Sequence, residues 1–114
     1  MTVSADLLRG YTDPIILHCL SRGDGYGYQI SKDVSEKSGG RVELKEATLY
    51  TAFRRLENAG YISSYWGDEG IGARRRYYRL TEAGRGRLAE EKALWQETRT
   101  VLNGLLDEEG TKDE

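Results

Sequence analysis

Apolar residues in Glu46–Gly60, EATLYTAFRRLENAG, recur at Leu49, Phe53 and Leu56. That i, i+4, i+7 spacing predicts a helix with one buried stripe. At 100° per residue the opposite side carries Ala47, Thr51, Arg54 and Asn58, with Thr48, Tyr50 and Arg55 on its flanks. Hydroxyls, an amide and two guanidiniums share that face, and Ala47 leaves room for close approach. By itself the pattern is that of a core helix with a solvated outer side. Gly60 ends the helix, and strict alternation follows: Ile62, Ser64 and Trp66 against Tyr61, Ser63 and Tyr65, then Tyr78 and Leu80 against Tyr77 and Arg79. These two runs predict a β-hairpin whose tip is the glycine-rich stretch 67–72, with Arg74, Arg75 and Arg76 just past it. Three adjacent arginines there suit phosphate contacts or, equally, an edge-protecting charge cluster.

Before this centre the pattern gives shorter elements. Leu7 and Leu8 mark about one helical turn. Thr12-Asp13-Pro14 reads as a capped helix start, and Ile15, Ile16, Leu17, Cys19 and Leu20 make a mostly buried helix ending near Arg22-Gly23. Tyr26, Ile30 and Val34 predict a further helix over 26–37, closed by Ser38-Gly39-Gly40. Val42–Leu44 reads as a stub of strand. After the hairpin, Thr81 caps a helix expected over 82–106, loosened in its first turns by Gly84 and Gly86. Leu88, Trp95 and Leu102 repeat every seven residues, and Leu94, Val101, Leu105 and Leu106 widen the stripe. Such a stripe outruns what a small domain needs for its own core, so it is expected to meet a second copy in a two-fold dimer. The charged tail 107–114 is expected to fray.

The predicted class is α+β, mostly α: three helices and a two-stranded hairpin form a winged helix-turn-helix domain over 1–81, followed by a C-terminal dimerisation helix over 82–106. This arrangement sends the central helix into the DNA major groove and the hairpin to adjacent backbone. The polar helix face and the arginine-tipped hairpin fall on the two DNA-contacting elements.

Charge supports the placement. The 114 residues carry a net −2, distributed as −1 over 1–40, +3 over 41–80 and −4 over 81–114. Positive charge collects where double-stranded DNA is expected. No apolar run approaches twenty residues and no secretory leader is visible at Met1–Arg9, so residence in the cytoplasm, without a membrane, is expected. Cys19, the single cysteine, excludes an intrachain disulfide and a multi-cysteine metal site. His18 has no partner with which to form a catalytic constellation, and GDGYGYQ lacks the Gly-Lys-Ser/Thr of a phosphate loop. No cofactor, metal or enzymatic activity is expected. A bare dimerisation adaptor fits the overall acidic charge, and salt-dependent binding to promoter DNA separates it from a regulator.

The strings TDPIILHCLSRGDGYGYQIS, ATLYTAFRRLENAGYISSYW and RRRYYRLTEAG, with the trailing helix and Trp95, resemble the PadR family of bacterial transcriptional regulators, from about Leu7 to Leu106. The resemblance implies a homodimeric repressor on an inverted-repeat operator. Carried over by position, Ala47, Thr48, Tyr50, Thr51 and Arg54, with the neighbouring Arg55, face the groove, and Arg74, Arg75 and Arg76 lie on the wing. Dimerisation is expected from Leu7, Leu8, Leu88, Leu94, Trp95, Val101, Leu102 and Leu105. One helix after the wing marks the shorter branch of the family. Some relatives bind small aromatic compounds at the dimer interface. Trp95 is either seam core or the wall of such a pocket, for a small aromatic effector.

Overall fold

The computed structural model describes residues 2–67 and 74–107. Its elements run α1 (Ala5–Leu8), α2 (Thr12–Ser21), β1 (Gly25–Tyr26), α3 (Gly27–Lys37), α4 (Glu46–Asn58), β2 (Ile62–Trp66), β3 (Arg76–Leu80) and α5 (Glu82–Leu106). This is the winged helix-turn-helix fold, mostly helical, with a long C-terminal helix.

Periodicity accounts for the core. Helix α4 buries Leu49, Ala52, Phe53 and Leu56, α3 buries Ile30 and Val34, and α2 buries Ile16, Leu17 and Leu20. Ile62, Tyr78 and Leu80 close the core from the hairpin, and Phe53 stacks on Tyr78 with ring centroids 3.9 Å apart. Gly60 terminates α4 at φ +84°, where a side chain would be strained, while Tyr61 N–H bonds back to the Leu56 carbonyl.

The hairpin sets Ile62 opposite Leu80, Ser64 opposite Tyr78, and Trp66 opposite Arg76, so the two alternating runs share their faces. The sheet has a third strand, in the order β1-β3-β2, with Gly25 and Tyr26 paired to Tyr78 and Tyr77. Two residues carry no legible periodicity, so this strand could not be read locally. It displaces the start of α3 to Gly27. Val42–Leu44, expected as a strand stub, joins no strand among the described residues; Val42 N–H donates to Ser38 Oγ at 2.9 Å and Leu44 is core. Helix α2 has Tyr11, not Thr12, at its N-cap and no side-chain cap, because the Thr12 hydroxyl donates back to the Leu8 carbonyl at 3.3 Å. The expected hairpin tip falls largely on residues 68–73, outside the described residues.

Helix α5 begins where expected, with Gly84 N–H donating to the Thr81 hydroxyl at 3.0 Å. Gly84 does not loosen the junction. It is buried, and a Cβ there would be driven into the Tyr61 carbonyl and lie 2.7 Å from Leu80 Cδ1. Gly86 faces open space. Leu88, expected at a dimer seam, is 6% exposed and belongs to the core of its own chain. The heptad hid this change of role, because one helix face serves the monomer at its start and projects beyond it later. Leu94, Val101, Leu102, Leu105 and Leu106 are all exposed, and the molecule extends 61 × 32 × 21 Å.

Candidate nucleic-acid interface

Helix α4 is fixed from beneath by its four buried residues, which turn Ala47, Thr48, Thr51 and Arg54 outward; all four are exposed. Among the described residues no acidic side chain pairs with Arg54. Its guanidinium therefore keeps its donor fork available to an acceptor outside the chain.

Arg55 is differently placed from the rest. Its Nε donates to Asp13 Oδ2 at 3.2 Å and its Nη2 to Oδ1, a bidentate pair joining α4 to the start of α2. The pair raises the Arg55 pKa, chiefly through the Asp13 hydrogen bond. Two of its donors are already engaged, so Arg55 fits a clamp better than a base reader.

The expected contact residues other than Arg54, which lines neither, divide between two clefts flanking α4. One, of about 450 Å³, includes Ala47, Thr48, Thr51 and Arg55, together with Arg9 and Lys45. The other, of about 470 Å³, lies between α4 and the hairpin and includes Tyr50, Arg74, Arg75 and Arg76, together with Tyr26, Tyr28 and Trp66. Arg9, Lys45 and the three added aromatics were not singled out from sequence. The GYGY repeat at 25–28, which spans β1 and the first residues of α3, is the available signal for the tyrosines, but spacing alone places Tyr26 only on a helix stripe.

Of the three wing arginines, Arg76 is partly engaged. Its Nη2 donates to Ser64 Oγ at 2.8 Å and lies 3.6 Å from Glu57 Oε1, while Ser64 Oγ donates to Glu57 Oε2 at 2.7 Å. This network ties the hairpin to the end of α4. Arg74 lies 5.3 Å from the Trp66 ring centroid, and Arg75 lies 4.6 Å from that of Tyr26. On the hairpin's other face, Tyr65 donates to Asp24 Oδ2 at 2.6 Å and Arg79 Nε does so at 3.4 Å, holding the wing to the α2–β1 turn. The wing is thus braced from both faces. If its arginines contact phosphates, each contact releases counterions. The Arg74/Arg75/Arg76→Ala variant should then lower the slope of log affinity against log salt by about 0.9 per lost contact, with sequence preference kept. An unchanged slope in a binding titration would make them a solvated face.

Trp95 meets Tyr11 edge-on at 5.6 Å, and with Leu7, Leu8, Pro14 and Ile15 it lines an apolar groove of about 420 Å³ rimmed by Glu91 and Lys92; Leu8 also lines the first of the two α4 clefts. The N-terminal leucines and Trp95 are therefore neighbours within one chain. His18 lies nearby on α2, its Nδ1 buried without a partner among the described residues. Burial first, then Lys92, Arg22 and Lys37, hold its pKa below the ordinary value, which favours the neutral ring. It is a packing residue. Among the described residues no group of acidic, histidine or cysteine side chains is arranged to hold a metal, and no helix is long and apolar enough to cross a membrane.

A braced three-stranded wing beside an outward polar helix defines a winged-helix DNA-binding protein. The chain matches the PadR-like transcriptional regulator family over residues 16–90, and it belongs to that family. A solved transcriptional regulator from Clostridium thermocellum is 45% identical, with a TM-score of 0.84, over 90% of this chain and 100% of its own. A PadR family regulator from Clostridium difficile is 40% identical, with a TM-score of 0.74, over 85% and 99%. An uncharacterised Lysinibacillus sphaericus protein is 40% identical over 105 residues, 92% of this chain and 96% of that protein. The protein is accordingly a DNA-binding transcriptional regulator, a member of a non-enzymatic family.

Proposed function

We propose that this chain is a homodimeric repressor that binds an inverted-repeat operator in the bacterial cytoplasm and is released by a small planar aromatic effector. Residues 1–81 form the DNA-binding domain, 82–106 the dimerisation helix and 107–114 a tail. The observation that carries the reading is the shared orientation of α4 and the wing: Tyr50 and the three wing arginines line one cleft, and the exposed groove-facing set continues around the same helix. Ala47, Thr48, Thr51 and Arg54 read bases, and Arg74, Arg75 and Arg76 neutralise phosphate. Leu7, Leu8, Leu94, Trp95, Val101, Leu102 and Leu105 lie at or beside the interface between copies.

The effector part rests on the groove at Trp95, where a partly exposed indole and apolar walls offer a flat ring a surface. A bound compound changes operator affinity only by its differential affinity for the DNA-competent spacing of the two reading heads.

The test begins with duplexes selected from a random pool by the wild-type chain. Arg54→Ala should weaken binding to them by about 1–3 kcal/mol if Arg54 reads a guanine bidentately. Leu56→Ala should act on folding instead, at roughly 2–5 kcal/mol, since Leu56 is 3% exposed. Equal affinities for folded wild type and Arg54→Ala would remove α4 from the reading role. Planar aromatic compounds titrated into the complex should release the duplex, and Trp95→Ala should abolish that release; failure of every compound would reduce the reading to a repressor without such an effector.

A further inference from the structure

The cleft between α4 and the hairpin combines two chemistries that are rarely exposed together. Among the described residues, three guanidiniums line it and no acidic side chain does. Its remaining wall is mostly aromatic, and three of its four rings are exposed: Tyr28 is 70% exposed, Trp66 53% and Tyr50 42%, while Tyr26 is half-buried under Arg75. Trp66 occupies the hairpin face that buries Ile62 lower down, opposite Arg76, so it overhangs the cleft just where the core ends. Arg74 and Arg76 lie 5.3 and 5.7 Å from its centroid. Flat rings beside cations suit a polyanion whose surface alternates apolar sugar with charged phosphate.

Position selects the partner. If α4 enters one groove and the wing touches the adjoining backbone, the strand between the two contacts must cross this cleft. The floor of the cleft depends on an absence. Gly27 is buried at the start of α3, and a Cβ there would lie 2.7 Å from the Tyr50 hydroxyl oxygen and 3.2 Å from Cζ. The Tyr50 ring, held edge-on against Phe53 at 5.5 Å, leans into the space that Gly27 leaves.

We propose that this cleft seats one sugar–phosphate strand of duplex DNA, that Tyr28, Tyr50 and Trp66 contact that strand beside the three arginines, and that Gly27 is the positioning residue that lets Tyr50 reach it. The proposal rests on the DNA-binding role of α4 and the wing, and it adds affinity rather than sequence preference, because sugar and phosphate are the same at every step.

Two measurements test it. Trp66 is one of two tryptophans, and the part of the emission change that Trp66→Phe removes belongs to it. Its emission should change on titration with a selected duplex and, at low salt, with a duplex of unrelated sequence. Separately, Gly27→Ala and Tyr50→Ala should each weaken binding of both duplexes about 3–10-fold, the loss of one net polar contact. The double variant should match Tyr50→Ala within about twofold, because Gly27 acts through that ring. Additive losses in the cycle would overturn the role of Gly27, and unchanged Trp66 emission at saturation would overturn the seat. Should Gly27→Ala fail to fold, Tyr50→Ala and the Trp66 signal still decide the seat. A wild-type chain that binds no duplex at all would overturn the DNA-binding placement of α4 and the wing as well, whereas a bound duplex with silent Trp66 sinks the seat alone.

Discussion

Gly84→Ala is expected to destabilise the fold by roughly 2–4 kcal/mol, whereas Gly86→Ala, two residues on in the same helix, should stabilise it by about 0.5–1 kcal/mol. Helix propensity alone gives both substitutions the same favourable sign, near 1 kcal/mol. Surroundings decide between them. At Gly86 an added methyl meets nothing within 4 Å, so the propensity gain stands. At Gly84 it would be forced into the Tyr61 carbonyl, a backbone atom that cannot rotate away because it accepts the Thr81 N–H at 3.1 Å. Thr81 is also the cap of α5, and its hydroxyl bonds the Gly60 carbonyl at 2.6 Å. Relief of the clash must therefore shift the end of α4, the first hairpin strand and the start of α5 together. Urea midpoints of the two variants against wild type measure the effect. Equal midpoints for the two would mean that α5 meets the wing loosely.

This junction also marks how far sequence reasoning reaches. Spacing identified α4, the two faces of the hairpin and the limits of α5, because each has a period long enough to count: Leu49/Phe53/Leu56, Ile62/Ser64/Trp66, and Thr81 followed by a heptad. Gly84 and Gly86 look alike as letters, and only the approach of a carbonyl 23 residues earlier in the chain separates them. Strand β1 was illegible for a related reason: Gly25 and Tyr26 become a strand through Tyr77 and Tyr78, not through any pattern of their own. The site divided in the same way. A helical wheel places Ala47, Thr48, Thr51 and Arg54 outward, and they are exposed. It cannot show that Asp13, 42 positions away, occupies two donors of Arg55, or that Tyr26 and Tyr28 join the wing.

Charging the distal half of α5 should produce the largest functional loss. The double variant Leu102→Glu/Leu105→Glu is expected to be a folded monomer whose affinity for a two-half-site duplex falls by about 10²–10⁴-fold, the range lost when linked sites are separated. The argument starts from what these leucines do in a single chain. They are 44% and 74% exposed, so they contribute little to the fold, and the melting of the isolated domain should hardly move. Leu94 at 59% and Val101 at 52% extend the same apolar surface along a helix of 25 residues, about 37 Å long. Carboxylates facing their symmetry mates across a two-fold seam repel, and each would lose hydration on association. Half-site affinity survives, because α4 and the wing lie on the other part of the molecule. Leu88→Ala is the contrasting control: Leu88 packs in the core, so it should cost about 2–5 kcal/mol of stability, and any loss of dimer should follow the loss of fold. Sedimentation equilibrium on both variants, with affinities for one- and two-half-site duplexes, separates the outcomes. A double variant that remains dimeric would move the interface off distal α5 and onto the groove formed by Leu7, Leu8 and Trp95.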